Sequence, residues 1–321
     1  MADLDQQVEA APALAGAAGV AAIELAGARK AYGDRVALHG LDLRVEQGEV
    51  FGFLGPNGAG KTTAMKILTG LVRASAGVAR VLGRPVGDPA ARRRIGYLPE
   101  HFRFQEWATG EELLDLHGRL AGLPAARRAA RVAEVLELVG LAGRGRQRIR
   151  SYSKGMTQRI GLAQALLAEP ELVLLDEPTS ALDPVGRREV RDLIRELRGR
   201  GVTVFLNSHL LGEVELVCDR VAIIDQGRVV RGGRLAELVG PATALRLLLD
   251  RVDEYLLGAL RRLGQVRSVE GVAVTLQVDD LDVAPAVAEC VVRSGYRLFE
   301  LAPVQRSLEE VFVDLVHGGD R

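Results

Sequence analysis

A glycine-rich loop between an apolar strand and a helix constrains this chain more than any other feature. The loop fits the pattern G-x-x-x-x-G-K-[ST] at every position. It follows the apolar run Glu49–Leu54, and a helix with apolar periodicity begins near Lys61. A strand, loop and helix in this order predict a phosphate site in an α/β domain. The loop residues and the threonine after them are Gly55, Pro56, Asn57, Gly58, Ala59, Gly60, Lys61, Thr62 and Thr63.

Phosphate binding needs these residue types for separate physical reasons. Glycines let the backbone curl so that successive N–H groups point at phosphate oxygens. The helix N-terminus behind the loop adds partial positive charge. We expect Lys61 to reach the β- and γ-phosphates of a nucleotide and the Thr62 hydroxyl to bind Mg²⁺. The alternative is a glycine-rich turn without a ligand, but the position between a strand and a helix favours the phosphate site.

A second motif places two acidic residues directly after an apolar run. Leu172–Asp176 is typical of a buried parallel strand, and Glu177 follows it. We expect Asp176 to hold Mg²⁺ through water and Glu177 to polarise an attacking water. Two such acids could instead cap a helix, and the phosphate loop favours the catalytic interpretation.

Apolar runs alternate with helical patterns over residues 21–234, which predicts an α/β domain on a mostly parallel sheet. Three short strands are predicted ahead of the phosphate loop, at Ala22–Leu25, Val36–Leu38 and Leu41–Val45. The later predicted elements are helices at Pro124–Gly140, Gly186–Leu197 and Leu210–Cys218, a strand at Val202–Asn207, and a hairpin of Val221–Asp225 with Arg228–Arg231.

Residues 235–321 are predicted to form a smaller α+β accessory domain. Their pattern gives the order βαββαβ, the ferredoxin-like split arrangement, followed by one more helix. The predicted elements are strands at Ala244–Leu249, Val266–Val269, Val272–Val278 and Tyr296–Leu301, and helices at Asp253–Leu263, Val283–Ser294 and Ser307–Val316.

Composition excludes some classes of protein. Basic and acidic residues number 42 each, so whole-chain charge does not support nucleic-acid binding, and no nucleic-acid partner is expected. No apolar run reaches the roughly 18–20 residues that cross a bilayer, so any action at a membrane would need a separate partner.

Residues 1–20 contain Asp3, Asp5 and Glu9 but no Lys or Arg, which favours a flexible leader over a signal peptide. Cys218 and Cys290 fit no metal-ligand spacing and indicate ordinary thiols in a reducing compartment.

Three further segments complete a resemblance to a known family. Residues 151–159 read Ser-Tyr-Ser-Lys-Gly-Met-Thr-Gln-Arg, which is similar to the L-S-G-G-Q signature loop of the ATP-binding-cassette (ABC) ATPases. Residues 180–183 match the loop that follows the family's catalytic glutamate, and His209 matches its switch histidine. The chain resembles these ATPases over Ala21–Gly233. Other phosphate-loop enzymes lack the signature loop, so it is the most family-specific element.

The resemblance implies an ATPase that uses ATP and Mg²⁺ and has a helical subdomain at about residues 101–160. It assigns catalysis to Glu177 and His209, although a lone histidine could be purely structural. It also assigns adenine stacking to Tyr32, which could otherwise be a packing residue. The family's signature loop caps the ATP of a partner subunit, so a second cassette is expected, and a homodimer fits because the catalytic positions are intact. The expected ATP-binding residues outside the phosphate loop and Tyr32 are Ser153, Lys154, Gly155 and Asp183.

Three positions depart from the family pattern. Glu100 stands where the family usually has Gln, and its carboxylate can still face Mg²⁺ or water as a catalytic and metal residue. Tyr152 replaces the usual Leu, and Lys154 replaces the first signature Gly. Lys154 is one of only four lysines, so a functional role and a solvated surface position both stay open. Ser153 and Gly155 remain, so hydrolysis is expected to be preserved.

Tyr97–Glu100 and the appended C-terminal domain are similar to the exporter branch of the family. We therefore expect the ATPase subunit of a membrane exporter, peripheral on the cytoplasmic face of the membrane, with an integral permease as its partner. A soluble ABC ATPase acting on ribosomes or DNA is the alternative, and the arginines at 92–94 and 144–150 are its best support. A small-molecule kinase is opposed by the signature loop.

The permease contact is predicted in the segment His101–Thr109, directly after Glu100. This segment holds Phe102, Phe104 and the chain's only tryptophan, Trp107. Aromatic residues in a loop-like stretch with polar neighbours are typical of a docking surface. The alternative is that these rings form a core between two subdomains.

Overall fold

The computed structural model describes residues 21–240 and 244–317. The leader predicted at residues 1–20 lies outside the described residues. The described chain divides into two compact units, one of residues 21–235 with 315–317 and one of residues 236–314. Within the described ranges, no helix combines the length and apolarity that crossing a bilayer requires.

The first unit contains two sheets and seven helices among its described residues. Its strands are β1 Ala21–Tyr32, β2 Arg35–Glu46, β3 Val50–Leu54, β4 Ala76–Val81, β5 Arg84–Pro85, β6 Ile95–Leu98, β7 Leu172–Asp176, β8 Thr203–Asn207, β9 Arg220–Asp225 and β10 Arg228–Arg234. Its helices are α1 Lys61–Leu68, α2 Pro89–Arg92, α3 Gly110–Leu120, α4 Ala125–Leu138, α5 Lys154–Leu166, α6 Pro184–Gly199 and α7 Leu211–Glu215.

The larger sheet has the strand order β10-β9-β3-β8-β7-β6 and is parallel except for β10, which pairs antiparallel with β9. Strands β3, β7 and β8 are buried along their whole length, as expected of apolar runs covered on both faces. Phe51, Phe53 and Phe205 stack across β3 and β8 in the core. Because these strands are parallel, β3, β7 and β8 end at the same edge of the sheet.

The smaller sheet is antiparallel with the order β2-β1-β4-β5. The prediction of three short strands before the phosphate loop is wrong, because β1 and β2 are each 12 residues long. Register shifts interrupt the β1–β2 pairing, and Gly27 and Gly40 adopt positive φ angles of 57° and 101°. Such bulges break the polar–apolar alternation without ending the strand, so the sequence pattern splits.

Helices α3, α4 and α5 pack together in the region predicted to be a helical subdomain. A capping box of Thr109 and Glu112 begins α3. The buried face of α4 contains Val132, Val135 and Leu136. Arg131 is also buried there and donates hydrogen bonds to the backbone oxygens of Leu166 and Leu167, a contact that the sequence did not indicate.

The second unit has the predicted element order βαββαβ. The remaining elements are α8 Leu235–Val239, β11 Ala244–Leu249, α9 Glu254–Leu260, β12 Gln265–Glu270, β13 Ala273–Gln277, α10 Ala284–Arg293, β14 Leu298–Val304 and α11 Leu308–His317. The antiparallel sheet of the second unit has the order β12-β13-β11-β14, and α9 and α10 supply apolar residues to its core. The Tyr296 hydroxyl donates to the Asp253 carboxylate, which also accepts from the Leu256 N–H at the start of α9.

Candidate active site

A cleft of about 680 Å³ opens at the edge where β3, β7 and β8 end. The phosphate loop follows β3, Glu177 follows β7, and His209 lies two residues beyond β8. The parallel strands therefore bring three segments that are distant in sequence to one cavity. The lining residues are Tyr32, Arg35, Ala37, Asn57, Gly58, Gly60, Lys61, Thr62, Thr63, Glu100, Glu177, Asn207 and His209.

Two glycines of the phosphate loop sit where a side chain would collide with backbone. A Cβ atom at Gly55 would lie 2.2 Å from the Ile224 oxygen. At Gly60 it would lie 2.7 Å from the Ala37 oxygen, and the φ of Gly60 is 108°. Gly60 is the residue before α1 and has no side chain that could accept hydrogen bonds from the first N–H groups of the helix. These N–H groups are therefore free to bind a ligand. Gly55, Pro56 and Ala59 shape the loop but do not line the cleft.

Lys61 folds back onto its own loop. Its Nζ atom donates to the Gly55 oxygen at 2.6 Å and to the Pro56 oxygen at 3.1 Å. Burial lowers the pKa of Lys61, and the carboxylates of Glu177, Asp176 and Glu100 partly oppose this shift. Phosphate oxygens would offer the ammonium charged acceptors in place of neutral carbonyls.

Asp176, the last residue of β7, and Glu177, which follows it, are both buried. Burial raises the pKa of Asp176, and the Asn207 amide, which donates to Asp176 Oδ1, opposes the shift. Glu177 adopts a left-handed φ of 54°, and its N–H donates to the Asn207 oxygen at 2.8 Å. A non-glycine residue held in this conformation is uncommon, and here it accompanies a Glu177 side chain that lines the cleft.

His209 contacts the second of these acids. Its Nδ1 atom lies 2.7 Å from Glu177 Oε2, and its imidazole is 61% exposed. Burial raises the pKa of Glu177, and the charge and hydrogen bond of His209 oppose that rise. A raised pKa makes the Glu177 carboxylate a better proton acceptor, so the pair has the geometry and electrostatics of a general base with a positioning histidine.

Tyr32 lines the mouth of the cleft and is 47% exposed. The Lys30 Nζ atom lies 4.9 Å from the centre of its ring. The ring is therefore available to a planar ligand and is not buried in a core. Arg35 lines the same cavity, although the sequence analysis did not predict it as a site residue. The only indication in the sequence is that this basic residue lies three positions after Tyr32.

The predicted metal residues contribute only oxygen atoms, from the Thr62 hydroxyl and the Asp176 and Glu100 carboxylates. Oxygen donors fit Mg²⁺, which is usually held by one or two carboxylates together with substrate phosphates. Thr62 and Glu100 line the cleft. Asp176 does not line it directly, but it accepts a hydrogen bond from Asn207, which does. In the described part of the chain, no group of three or more His, Cys, Asp or Glu side chains is placed to hold a metal ion.

The predicted ATP residues outside the phosphate loop and Tyr32 do not line this cleft. Ser153 Oγ accepts from the Met156 N–H at the start of α5, and Asp183 accepts from the Gly186 N–H at the start of α6. Lys154 lines a separate groove of about 630 Å³. Glu100 borders both this groove and the cleft. The signature residues and Asp183 therefore do not reach the phosphate loop of their own chain.

Gln158 is a further site residue that was missed, although it lies inside the signature segment. Its Nε2 atom donates to the backbone oxygens of Glu177 and Pro178, at 3.4 and 3.1 Å. Gln158 thus joins α5 to the acidic motif. Tyr152, which replaces the family's Leu, donates from its hydroxyl to the Arg144 oxygen at 3.0 Å.

Comparisons with known proteins agree with this geometry. A family model described as ABC transporter matches residues 38–180. Over 289 residues the chain is 44% identical to an uncharacterized ABC transporter ATP-binding protein of Nostoc sp., covering 89% of this chain and 84% of the relative. It is 41% identical over 316 residues to the daunorubicin resistance ATP-binding protein DrrA3 of Streptomyces coeruleorubidus, covering 94% and 97%. It is also similar to the dimeric post-hydrolysis state of an ATP-binding cassette bound to ADP and Pi, with 25% identity, a TM-score of 0.62 and coverage of 66% and 98%.

Proposed function

The chain belongs to the ATP-binding proteins of ABC transporters, and from this premise we propose that it forms a homodimer that powers a separate export permease. It is an ATPase that uses Mg²⁺. The observation that carries the proposal is the meeting of the phosphate loop, Glu177 and His209 at one cleft.

In the proposed reaction, water attacks the γ-phosphorus of ATP while Glu177 accepts one of its protons. A new P–O bond forms as the bond from the γ-phosphorus to the bridging oxygen breaks, which releases ADP and inorganic phosphate. His209 holds the Glu177 carboxylate through the 2.7 Å contact. Mg²⁺, when bound, supplies positive charge beside the transferred group, and Thr62, Asp176 and Glu100 are the residues that would hold it.

The placement of the signature residues supports the homodimer. Ser153, Lys154, Gly155 and Asp183 lie off the cleft of their own chain, so they could contact a nucleotide only in a second molecule.

A stringent test is Glu177→Gln, which keeps the side-chain shape and removes the base. The variant should bind MgATP normally, lose most turnover and elute as a dimer with ATP but as a monomer with ADP. Hydrolysis at the native rate would show that Glu177 is not the base.

Export as the direction of transport is supported by the relative named as a daunorubicin resistance protein, which matches 94% of this chain. The transporter-type relatives favour a permease over a ribosome or DNA partner. As a subunit of such a complex, the chain would sit peripherally on the cytoplasmic face of the membrane.

The proposed permease contact is an exposed surface of the helical subdomain, formed by Trp107, Arg146, Arg148 and Arg150, which we call the Trp–Arg surface. Residues 145–150 run beside residues 106–111 and pair with them through backbone hydrogen bonds. Ala108 and Ile149 are buried on the inner side of this pairing. Trp107 is 72% exposed, which favours a surface role over the alternative of a core position.

Charge indicates what this surface would bind. Arg148 and Arg150 are exposed, and among the described residues neither forms an ion pair, while Arg146 lies 3.7 Å from Glu111. An exposed aromatic residue with unpaired arginines on the neighbouring segment suits an acidic partner, because Arg pairs with carboxylates in a bidentate geometry. We therefore assign this surface to an acidic cytoplasmic segment of the permease. Phe102 and Phe104, whose ring centres lie 5.0 Å apart, are half-buried and so contribute less to the exposed surface than Trp107 does.

A further inference from the structure

Asn207 occupies the point where the cleft meets both acidic residues, although nothing in the sequence marked it. Its side chain is 3% exposed and lines the cleft at the end of β8. Its Nδ2 atom donates to Asp176 Oδ1, and its backbone oxygen accepts from the Glu177 N–H at 2.8 Å. The register of the sheet pairs Asn207 directly with Asp176. One residue therefore positions both acids.

The remaining polar atom of this side chain is unused. Asn207 Oδ1 is buried and has no hydrogen-bond partner within the described structure. A buried acceptor without a donor destabilises the folded protein, so most such atoms in folded proteins have a partner. The atom belongs to a cleft residue, so a ligand could supply the missing donor.

The chemistry of the ligand narrows the choice of donor. Phosphate oxygens only accept hydrogen bonds, so ATP itself cannot satisfy an amide oxygen through its phosphates. A water bound to Mg²⁺ directs its hydrogens outward and is a strong donor. Mg²⁺ usually keeps several waters when it binds beside carboxylates and phosphates. Outer-shell groups of this kind orient the residues that hold a metal.

We propose that Asn207 is a positioning residue for hydrated Mg²⁺, holding Asp176 with its amide nitrogen and accepting a hydrogen bond from a metal-bound water with its amide oxygen. This inference rests on the proposed role of Asp176 at the metal. It assigns Asn207 no direct part in proton transfer. Nucleotide affinity in the absence of metal should therefore not depend on the amide.

The test compares metal-dependent and metal-independent binding in the full-length chain. The protein is titrated with fluorescent ADP, once in the presence of EDTA and once in the presence of excess Mg²⁺. Mn²⁺ binding to the protein–ADP complex is followed by electron paramagnetic resonance. Asn207→Ala should bind ADP in EDTA within twofold of the native protein. Its Mn²⁺ affinity should fall about tenfold or more, as is usual when outer-shell partners are removed.

Ser208→Ala is the matched control, because Ser208 is the next residue along, is equally buried and does not line the cleft. It should leave both affinities unchanged. Asn207→Val is the second variant if the alanine variant does not fold, since a β-branched side chain suits the strand end and offers no hydrogen-bond donor or acceptor. Native Mn²⁺ affinity in either folded Asn207 variant would overturn the proposal. If the native protein binds no nucleotide under any condition, the proposed function fails instead.

Discussion

Trp107→Ala separates a docking residue from a core residue, because the two roles predict different losses of stability. An aromatic side chain buries roughly 150–250 Å² when fully enclosed. Trp107 is 72% exposed, so about a quarter of that area is lost from contact on truncation. At about 25 cal/mol per Å², the free energy of unfolding should fall by about 1–2 kcal/mol as an upper estimate. A core tryptophan would cost about 3–5 kcal/mol.

Urea unfolding should be followed by circular dichroism, because Trp107 is the only tryptophan and its fluorescence disappears with the substitution. Permease binding should be measured in parallel by copurification from membranes, together with basal ATPase activity. We expect a loss of at most about 1–2 kcal/mol in stability and a basal ATPase activity close to native, with permease binding lost. Arg148→Glu should give the same loss through charge repulsion. Leu120→Ala is the matched control, since Leu120 is 75% exposed and lies in the same subdomain.

Two outcomes would contradict a docking role for Trp107. A loss of about 3 kcal/mol or more would mean that Trp107 supports the fold despite its exposure. Native stability combined with native permease binding would mean that the Trp–Arg surface is not the contact.

Three further predictions follow from the site and the subdomain. His209→Ala should shift the acid limb of the ATPase pH profile to higher pH, because His209 opposes the burial that raises the pKa of Glu177 and its removal leaves the carboxylate protonated over a wider range; an unmoved limb in a pH–rate series would contradict this. Lys154→Ala should weaken ATP-driven dimerisation, measured by light scattering, more than ATP binding to the monomer, and equal effects would indicate an ordinary surface lysine. Arg131→Ala should lower the free energy of unfolding in urea by about 2 kcal/mol, because it removes two hydrogen bonds of a buried guanidinium and leaves the Leu167 oxygen without its side-chain donor, while the Leu166 oxygen keeps the Glu169 N–H. Arg127→Ala, which removes an exposed ion pair with Glu169, should cost less than about 1 kcal/mol.

The elements that the sequence predicted well are those whose signal is local. The strand Leu172–Asp176 has the predicted bounds, and the helix after the phosphate loop begins at Lys61 as predicted. In both segments a short apolar run or a glycine motif determines the structure within a few residues. The phosphate loop could likewise be predicted directly, because its whole residue pattern is contiguous in the sequence.

The missed residues depend on the tertiary arrangement instead. Asn207 meets Asp176 only because β7 and β8 are neighbours in register, and the chain separates them by 31 positions. Gln158 reaches Glu177 from another helix, and Arg35 reaches the cleft from a strand of the other sheet. A polar residue at a strand end looks the same in sequence whether or not an acid lies opposite. These roles become visible only when the strand order is known.

Helix α5 has a mechanical consequence. Its 13 residues extend about 20 Å, with Ser153 at one end and Gln158 about one turn inside. The Gln158 amide donates hydrogen bonds to the backbone oxygens of Glu177 and Pro178, so a shift of the helix along its axis would displace the peptide that carries the proposed general base. A force applied at the N-terminal end of α5 would thus reach the Glu177 carboxylate through the helix and two hydrogen bonds. In the proposed homodimer, docking of a neighbour at that end would therefore alter the position of Glu177 in the chain to which the helix belongs.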